Sequence, residues 1–200
     1  YNYYTIFTYF CCVSAFDNFF ISDVLNCFLQ KFNLINRQLE DSLKELDREN
    51  NLNIGSINTI THTHYDLVLL LFETVKKFEV TIVTEIAHWF VTIVDAVYSS
   101  IVSAAQNKYL SIPFGCNFSY TVFLFVWLYT LIAMFSQVQE ISNEGGFLVH
   151  AIWNKYTSRG KLDQNLCHLK LISLQMVTTK VSFSIGGFFT LDWKFFQQVF

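Results

Sequence analysis

The sequence predicts an all-α protein, a polytopic helical membrane bundle with cytoplasmic helical extensions. Three observations predict it. No charged side chain occurs between Lys108 and Glu140, a run of 31 residues (140 − 108 − 1). Hydrophobic residues make up 52% and charged residues 14% of the chain, where soluble domains carry about 25% charged residues. A single Pro stands among 200 residues, so little interrupts long helices.

A helix crosses the hydrocarbon core with about 20 apolar residues. On that length the chain offers spans at residues 3–29, 78–105 and 113–138, and the start of a further span from about Trp193. Asp17 and Asp23 fall inside the first of these and move its inner boundary. The 22 Phe and 10 Tyr suit lipid-facing and interfacial positions. The chain opens at Tyr1 without a charged leader and closes at Phe200 in an apolar stretch, and it is expected to be a fragment of a longer polytopic protein.

Lysine and arginine set the orientation. Six lie in residues 30–77, one (Lys108) in residues 105–115, and six in residues 139–194. The positive-inside rule places the two rich segments in the cytoplasm. The only sequon, Asn117-Phe118-Ser119, then falls beside the external loop. A net charge of −3 with scattered basic residues excludes a nucleic-acid footprint.

Leu39, Leu43 and Leu46, with Glu40 and Lys44 four apart, continue the first helix into the cytoplasm. The run Asn50-Asn51-Leu52-Asn53-Ile54-Gly55-Ser56 reads as a loop, and a second helix is expected from near Tyr65. Residues 140–156 and 163–184 are expected to form a helical hairpin about Thr157-Ser158-Arg159-Gly160-Lys161. These extensions suit subunit contacts or packing within one subunit. Cys11, Cys12, Cys27, Cys116 and Cys167 have no CxxC spacing and read as free buried thiols.

Thr81, Glu85, His88, Thr92, Asp95, Ser99 and Ser103 recur at spacings of 4, 3, 4, 3, 4 and 4 along one helical face. Ionisable groups in a span turn to protein or a water-filled cavity, so this face lines a ligand cavity, a helix contact or an ion path. Tyr120, Leu124 and Trp127 share a face of the third span, and Trp127 either faces a pocket or packs on a helix. Thr92, Asp95, Ser99, Tyr120 and Trp127 are the candidate ligand-binding residues.

Glu85-Ile-Ala-His88 is one Glu-x-x-His, a unit that di-metal bundles use twice, and no second copy exists. His62-Thr63-His64 lacks the partners of a zinc site. No nucleophile elbow or phosphate loop is present. No catalytic residue, metal or cofactor is therefore expected. Gly145-Gly146 and Gly186-Gly187 permit close helix approach, a bend or a hinge.

The segment Leu171-Ile-Ser-Leu-Gln-Met-Val-Thr-Thr-Lys-Val-Ser-Phe-Ser-Ile-Gly-Gly-Phe-Phe-Thr-Leu-Asp192 resembles the insect gustatory receptor family before its last span. Phe32-Asn33-Leu34-Ile35-Asn36-Arg37-Gln38-Leu39 resembles that family's Arg-Phe-x-x-Leu-Asn-x-x-Leu after its fourth span. The order of features matches the fourth span to the start of the seventh. Gly186 stands where the family often has Cys and Ser184 where it has Thr. The hallmark Thr-Tyr-x-x-x-x-Gln-Phe, which lines the pore, would follow Phe200.

The resemblance implies a seven-helix receptor with an intracellular N-terminus, in agreement with the charge count. It implies a tetrameric ligand-gated cation channel, homo- or hetero-tetrameric, in the plasma membrane of sensory neurons. A small-molecule tastant would bind among the outer helix halves, with Asp95 beside a cationic or hydroxylated ligand and Trp127 and Tyr120 stacking on it. The alternatives are an odorant receptor of the same superfamily, a transporter or membrane enzyme subunit with a Glu85, His88 and Asp95 relay, and an inactive partial gene product.

Overall fold

The computed structural model describes residues 2–49, 54–106, 112–158, 164–185 and 189–190. Three long helices dominate it: α1 (Asn2–Glu49), α2 (Ile54–Ala105) and α3 (Ile112–Thr157). A shorter helix, α4 (Gln164–Thr178), follows, and then β1 (Ser184–Ile185) and β2 (Phe189–Thr190), a two-stranded antiparallel ladder in which Ser184 faces Thr190. The protein is thus all-α apart from this short ladder among the described residues.

The long helices have 48, 52 and 46 residues. At 1.5 Å per residue each runs about 70 Å or more, over twice the hydrocarbon thickness of about 30 Å. All three are long and apolar enough to cross a membrane, and each also extends well outside one. The onward course of the first span into a soluble-type helix is seen in α1, where Lys44 pairs with Glu40 at 3.7 Å.

The buried positions repeat every 3.5 residues. They include, on α1, Ser14, Asn18, Ile21, Leu25, Phe28, Phe32, Ile35, Leu39 and Leu46, and on α3, Leu124, Leu128, Leu131, Phe135, Val138, Ser142, Val149, Ile152 and Tyr156; Asn36, Ile132, Gly145 and Gly146 are buried beside them. On α2, Ile57, Thr61, His64, Leu71, Val75, Ile82, Trp89 and Ala96 follow the same alternation of three and four. This is the spacing of the seam along which a helix packs on its neighbours.

The described chain forms two compact units, and each long helix contributes to both. One gathers the part of α1 up to Ser22, Lys77–Ala133 and the segment from Ser184; the other gathers Asp23–Lys76 and Met134–Phe183. The first unit wears apolar side chains on its surface: Phe16, Phe19, Val80 and Phe90 are each more than 60% exposed. Such a surface fits lipid and not water. In the second unit Leu39, Leu46, Ile57, Val149, Ile152 and Leu169 form one core, with Lys31, Arg37, Asp41 and Lys44 on the outside.

Three expectations need correction. α2 begins at Ile54, so His62-Thr63-His64 is helical and not a loop: Thr59, Thr61 and Thr63 return their hydroxyls to carbonyls of the preceding turn. The last helix stops at Thr178, not Ser184, because the β-branched run Val177-Thr178-Thr179 leads into an alternation of buried Val181, exposed Ser182, buried Phe183 and exposed Ser184. Cys12, Cys27 and Cys167 are free as expected but lie exposed, on the outer faces of their helices. Trp193, Gly186 and Gly187 lie outside the described residues.

Candidate functional site

The predicted stripe on α2 is rotated from the packed seam. Glu85, Thr92 and Ser99 are half-buried and continue the seam set by Ile82, Trp89 and Ala96, whereas Asp95 is exposed. The three described long helices therefore leave the Asp95 carboxylate uncovered. The hydroxyl of Thr92 donates to the His88 carbonyl at 2.8 Å, so toward a further partner it can only accept. The Tyr120 side chain lies outside the described residues.

Glu85 accepts a hydrogen bond from the buried Ser14 hydroxyl, which in turn accepts from Asn18 Nδ2 at 3.4 Å. Trp127 meets Trp89 edge to face, with ring centroids 4.7 Å apart and planes at 64°. Such a pair contributes about 0.5–1.5 kcal/mol beyond its buried area. Trp89 is buried, yet its Nε1 hydrogen finds no acceptor among the described residues, and Asn18 Oδ1 finds no donor. Trp127 packs on α2 through Trp89 and remains half-buried. Both orphaned polar atoms lie in the unit that holds the predicted site.

The second unit holds a polar junction that the sequence did not reveal. Asn36 on α1 donates Nδ2 to the Ile141 carbonyl at 2.9 Å, and His64 on α2 donates Nε2 to the Ser142 carbonyl at 2.9 Å. In a helix a side chain leans over the turn before it, so glycine at 145 and 146 uncovers the carbonyls at 141 and 142. A Cβ on Gly145 would lie 3.0 Å from His64 Nε2 and 3.1 Å from Asn36 Oδ1. One on Gly146 would meet the Met176 backbone at 3.1 Å. The glycine pair serves close approach of α1, α2 and α4 to α3.

Phe32 packs edge to face on the His64 ring at 5.3 Å. Burial pulls the His64 pKa below its usual value of 6.5, and the Ser142 carbonyl opposes that shift more weakly. Asn143 clips the chain after α4, accepting from Val181 N–H at 2.8 Å and donating to Val181 C=O at 3.1 Å. His150 Nδ1 lies 2.8 Å from Ser173 Oγ, and Lys170 stands over the Trp153 ring at 5.8 Å. Beside the junction lies a pocket of about 370 Å³ walled by α2, α3, α4 and Val181.

No group of three or more His, Cys, Asp and Glu residues stands close enough to hold a metal among the described residues. His62, expected in a loop, lies on α2, exposed, with its Nδ1 3.0 Å from Asp66 Oδ2.

No curated protein and no solved structure matches this chain. A family model does, across residues 1–200, and its description is 7tm Chemosensory receptor. Three helices able to span a membrane, an apolar outer surface around one unit and a family match over the full sequence agree, and the chain belongs to the 7tm chemosensory receptor family.

Proposed function

We propose that this chain is part of a taste receptor that works as a ligand-gated cation channel subunit, with residues 3–29, 78–105 and 113–138 crossing the plasma membrane of a sensory neuron. The observation that carries the taste reading is the segment from Leu171 to Asp192, with its Ser-Leu-Gln and Gly-Gly-Phe-Phe-Thr-Leu-Asp, similar to the gustatory receptor pattern. The family match supports a receptor and not an enzyme role.

A tastant would sit beside Thr92, Asp95, Ser99 and Trp127, with Tyr120 about two turns before Trp127 on α3. Exposed Asp95 supports this reading: an ionised carboxylate in a membrane span needs a partner, and the three described long helices give it none of the cover that Glu85 has. The unpaired Trp89 Nε1 and Asn18 Oδ1 supply a donor and an acceptor for water or ligand in the same unit. A tastant opens such a tetramer by binding the open arrangement more tightly than the closed one.

The test is cation current through the full-length receptor under a panel of sugars, amines and bitter compounds, with Asp95→Ala compared to wild type. Loss of response to one class with normal surface expression supports the reading. An unchanged dose-response removes Asp95 from the site, and responses confined to volatile compounds favour the odorant alternative.

A further inference from the structure

Among the described residues the pocket of the second unit shares none with the proposed tastant site. Thr61, His64 and Tyr65 of α2 form one side, Asn143 of α3 the floor, and Gln175, Met176 and Thr179 of α4 the other side. Its volume of about 370 Å³ falls within the range of about 300–1,000 Å³ typical of small-molecule sites.

The walls are tied in place before any ligand arrives. His64 is fixed to the Ser142 carbonyl, Asn143 holds Val181 through two hydrogen bonds, and Gly146 lets α4 approach α3 until only a Cβ would intervene. A preformed pocket of this kind costs little ordering on binding.

Its chemistry is restricted. Among the described residues no Asp, Glu, Lys or Arg lines it; of its two histidines, burial disfavours the charged form of His64, and the exposed His62 already faces Asp66 at 3.0 Å, so an ionised ligand would lose its hydration without a free counter-charge. Tyr65, Gln175 and Thr179 offer hydroxyl and amide groups, while Val68, Ile172 and Met176 offer apolar surface. We propose that this pocket binds a small uncharged molecule with an apolar body and a hydrogen-bonding group, bridging α2 to α4 at a site separate from the tastant's.

The test uses full-length receptor in nanodiscs carrying Thr179→Cys, with N-ethylmaleimide modification of that position followed by peptide mass spectrometry. Peptide resolution separates it from the exposed Cys12, Cys27 and Cys167. The probe is 2-naphthol, and its charged counterpart is 2-naphthalenesulfonate. Protection follows 1 + [L]/Kd, so 2-naphthol at four times its Kd slows modification about fivefold, saturably, and the sulfonate does not. Filling the pocket with Val68→Trp abolishes the protection; Gln175→Trp, at an exposed position, does the same if the first variant fails to fold. A position that never reacts, no protection by 2-naphthol, equal protection by the sulfonate, or protection that survives the filling variants overturns the proposal. None of these readouts depends on channel current, so the site stands or falls apart from the taste reading.

Discussion

His64 Nε2 donates to the backbone carbonyl of Ser142, 2.9 Å away and 78 residues along the chain. A carbonyl can only accept, so Nε2 carries the hydrogen and the neutral ring has its lone pair on Nδ1. Asn36, Phe32 and Gly145 crowd the ring, and Glu144 joins the junction by accepting from Asn36 Nδ2 at 3.3 Å.

Because burial lowers the folded pKa of His64 below 6.5, the unfolded chain takes up its proton first as pH falls. The stability this histidine contributes is present above about pH 6.5 and is lost as pH drops through the lower folded value. His64→Gln keeps a donor for Ser142 and does not titrate. Melting of the purified receptor between pH 7.5 and 5 is expected to fall more for wild type than for this variant. Equal falls in both would mean that His64 is not the group linking stability to pH.

Gly145→Val is expected to destabilise by about 1–3 kcal/mol, the usual cost of overpacking. His64 and Asn36 stand within 3.1 Å of the new Cβ and are both held by hydrogen bonds, so neither can yield cheaply. Gly55→Ala, at an exposed position of α2, serves as the control and loses nothing. A thermal melt in detergent separates the two, and a Gly145→Val midpoint at or above wild type would show that the junction relaxes to admit a side chain.

Asn143 acts on Val181 as a neighbouring strand would, giving and taking one hydrogen bond. Asn143→Ala removes both and is expected to cost about 1–3 kcal/mol. Asn143→Asp keeps the acceptor for Val181 N–H and loses only the donor. Hydrogen exchange at the Val181 amide should therefore quicken strongly in the alanine variant and weakly in the aspartate variant. Equal exchange in the two would assign the protection of Val181 to packing alone.

The membrane helices were legible from the uncharged run before Glu140, because they depend on composition, while most of the turn expected at Thr157-Ser158-Arg159-Gly160-Lys161 lies outside the described residues. The packing seam was not legible. In lipid the outward positions are as apolar as the inward ones, so Phe16 and Phe19 hide the periodicity that Ser14 and Asn18 carry. The seam is marked instead by small and polar residues: Asn36, Thr61, His64, Ser142 and Gly145. Reading these at spacings of three and four would have put His64 inside a helix contact. The stripe through Asp95 runs along the edge of that face: Glu85, Thr92 and Ser99 are half-buried beside Trp89 and Ala96, and Asp95 is exposed.

Glu85 offers a way to separate packing from ion handling in that stripe. Its carboxylate takes the Ser14 hydroxyl, which also takes Asn18, so a chain of three polar side chains ties α1 to α2 inside the lipid-facing unit. Glu85→Gln retains an acceptor oxygen for Ser14 but cannot carry a proton at neutral pH, whereas Glu85→Leu leaves the buried Ser14 hydroxyl without its acceptor, at a cost of about 1–3 kcal/mol. If the role is packing, the glutamine variant melts like wild type, gives the same current in the proposed channel assay, and only the leucine variant loses stability. If the glutamine variant folds normally but loses its current, Glu85 handles charge, and the relay reading of Glu85, His88 and Asp95 gains over the helix contact.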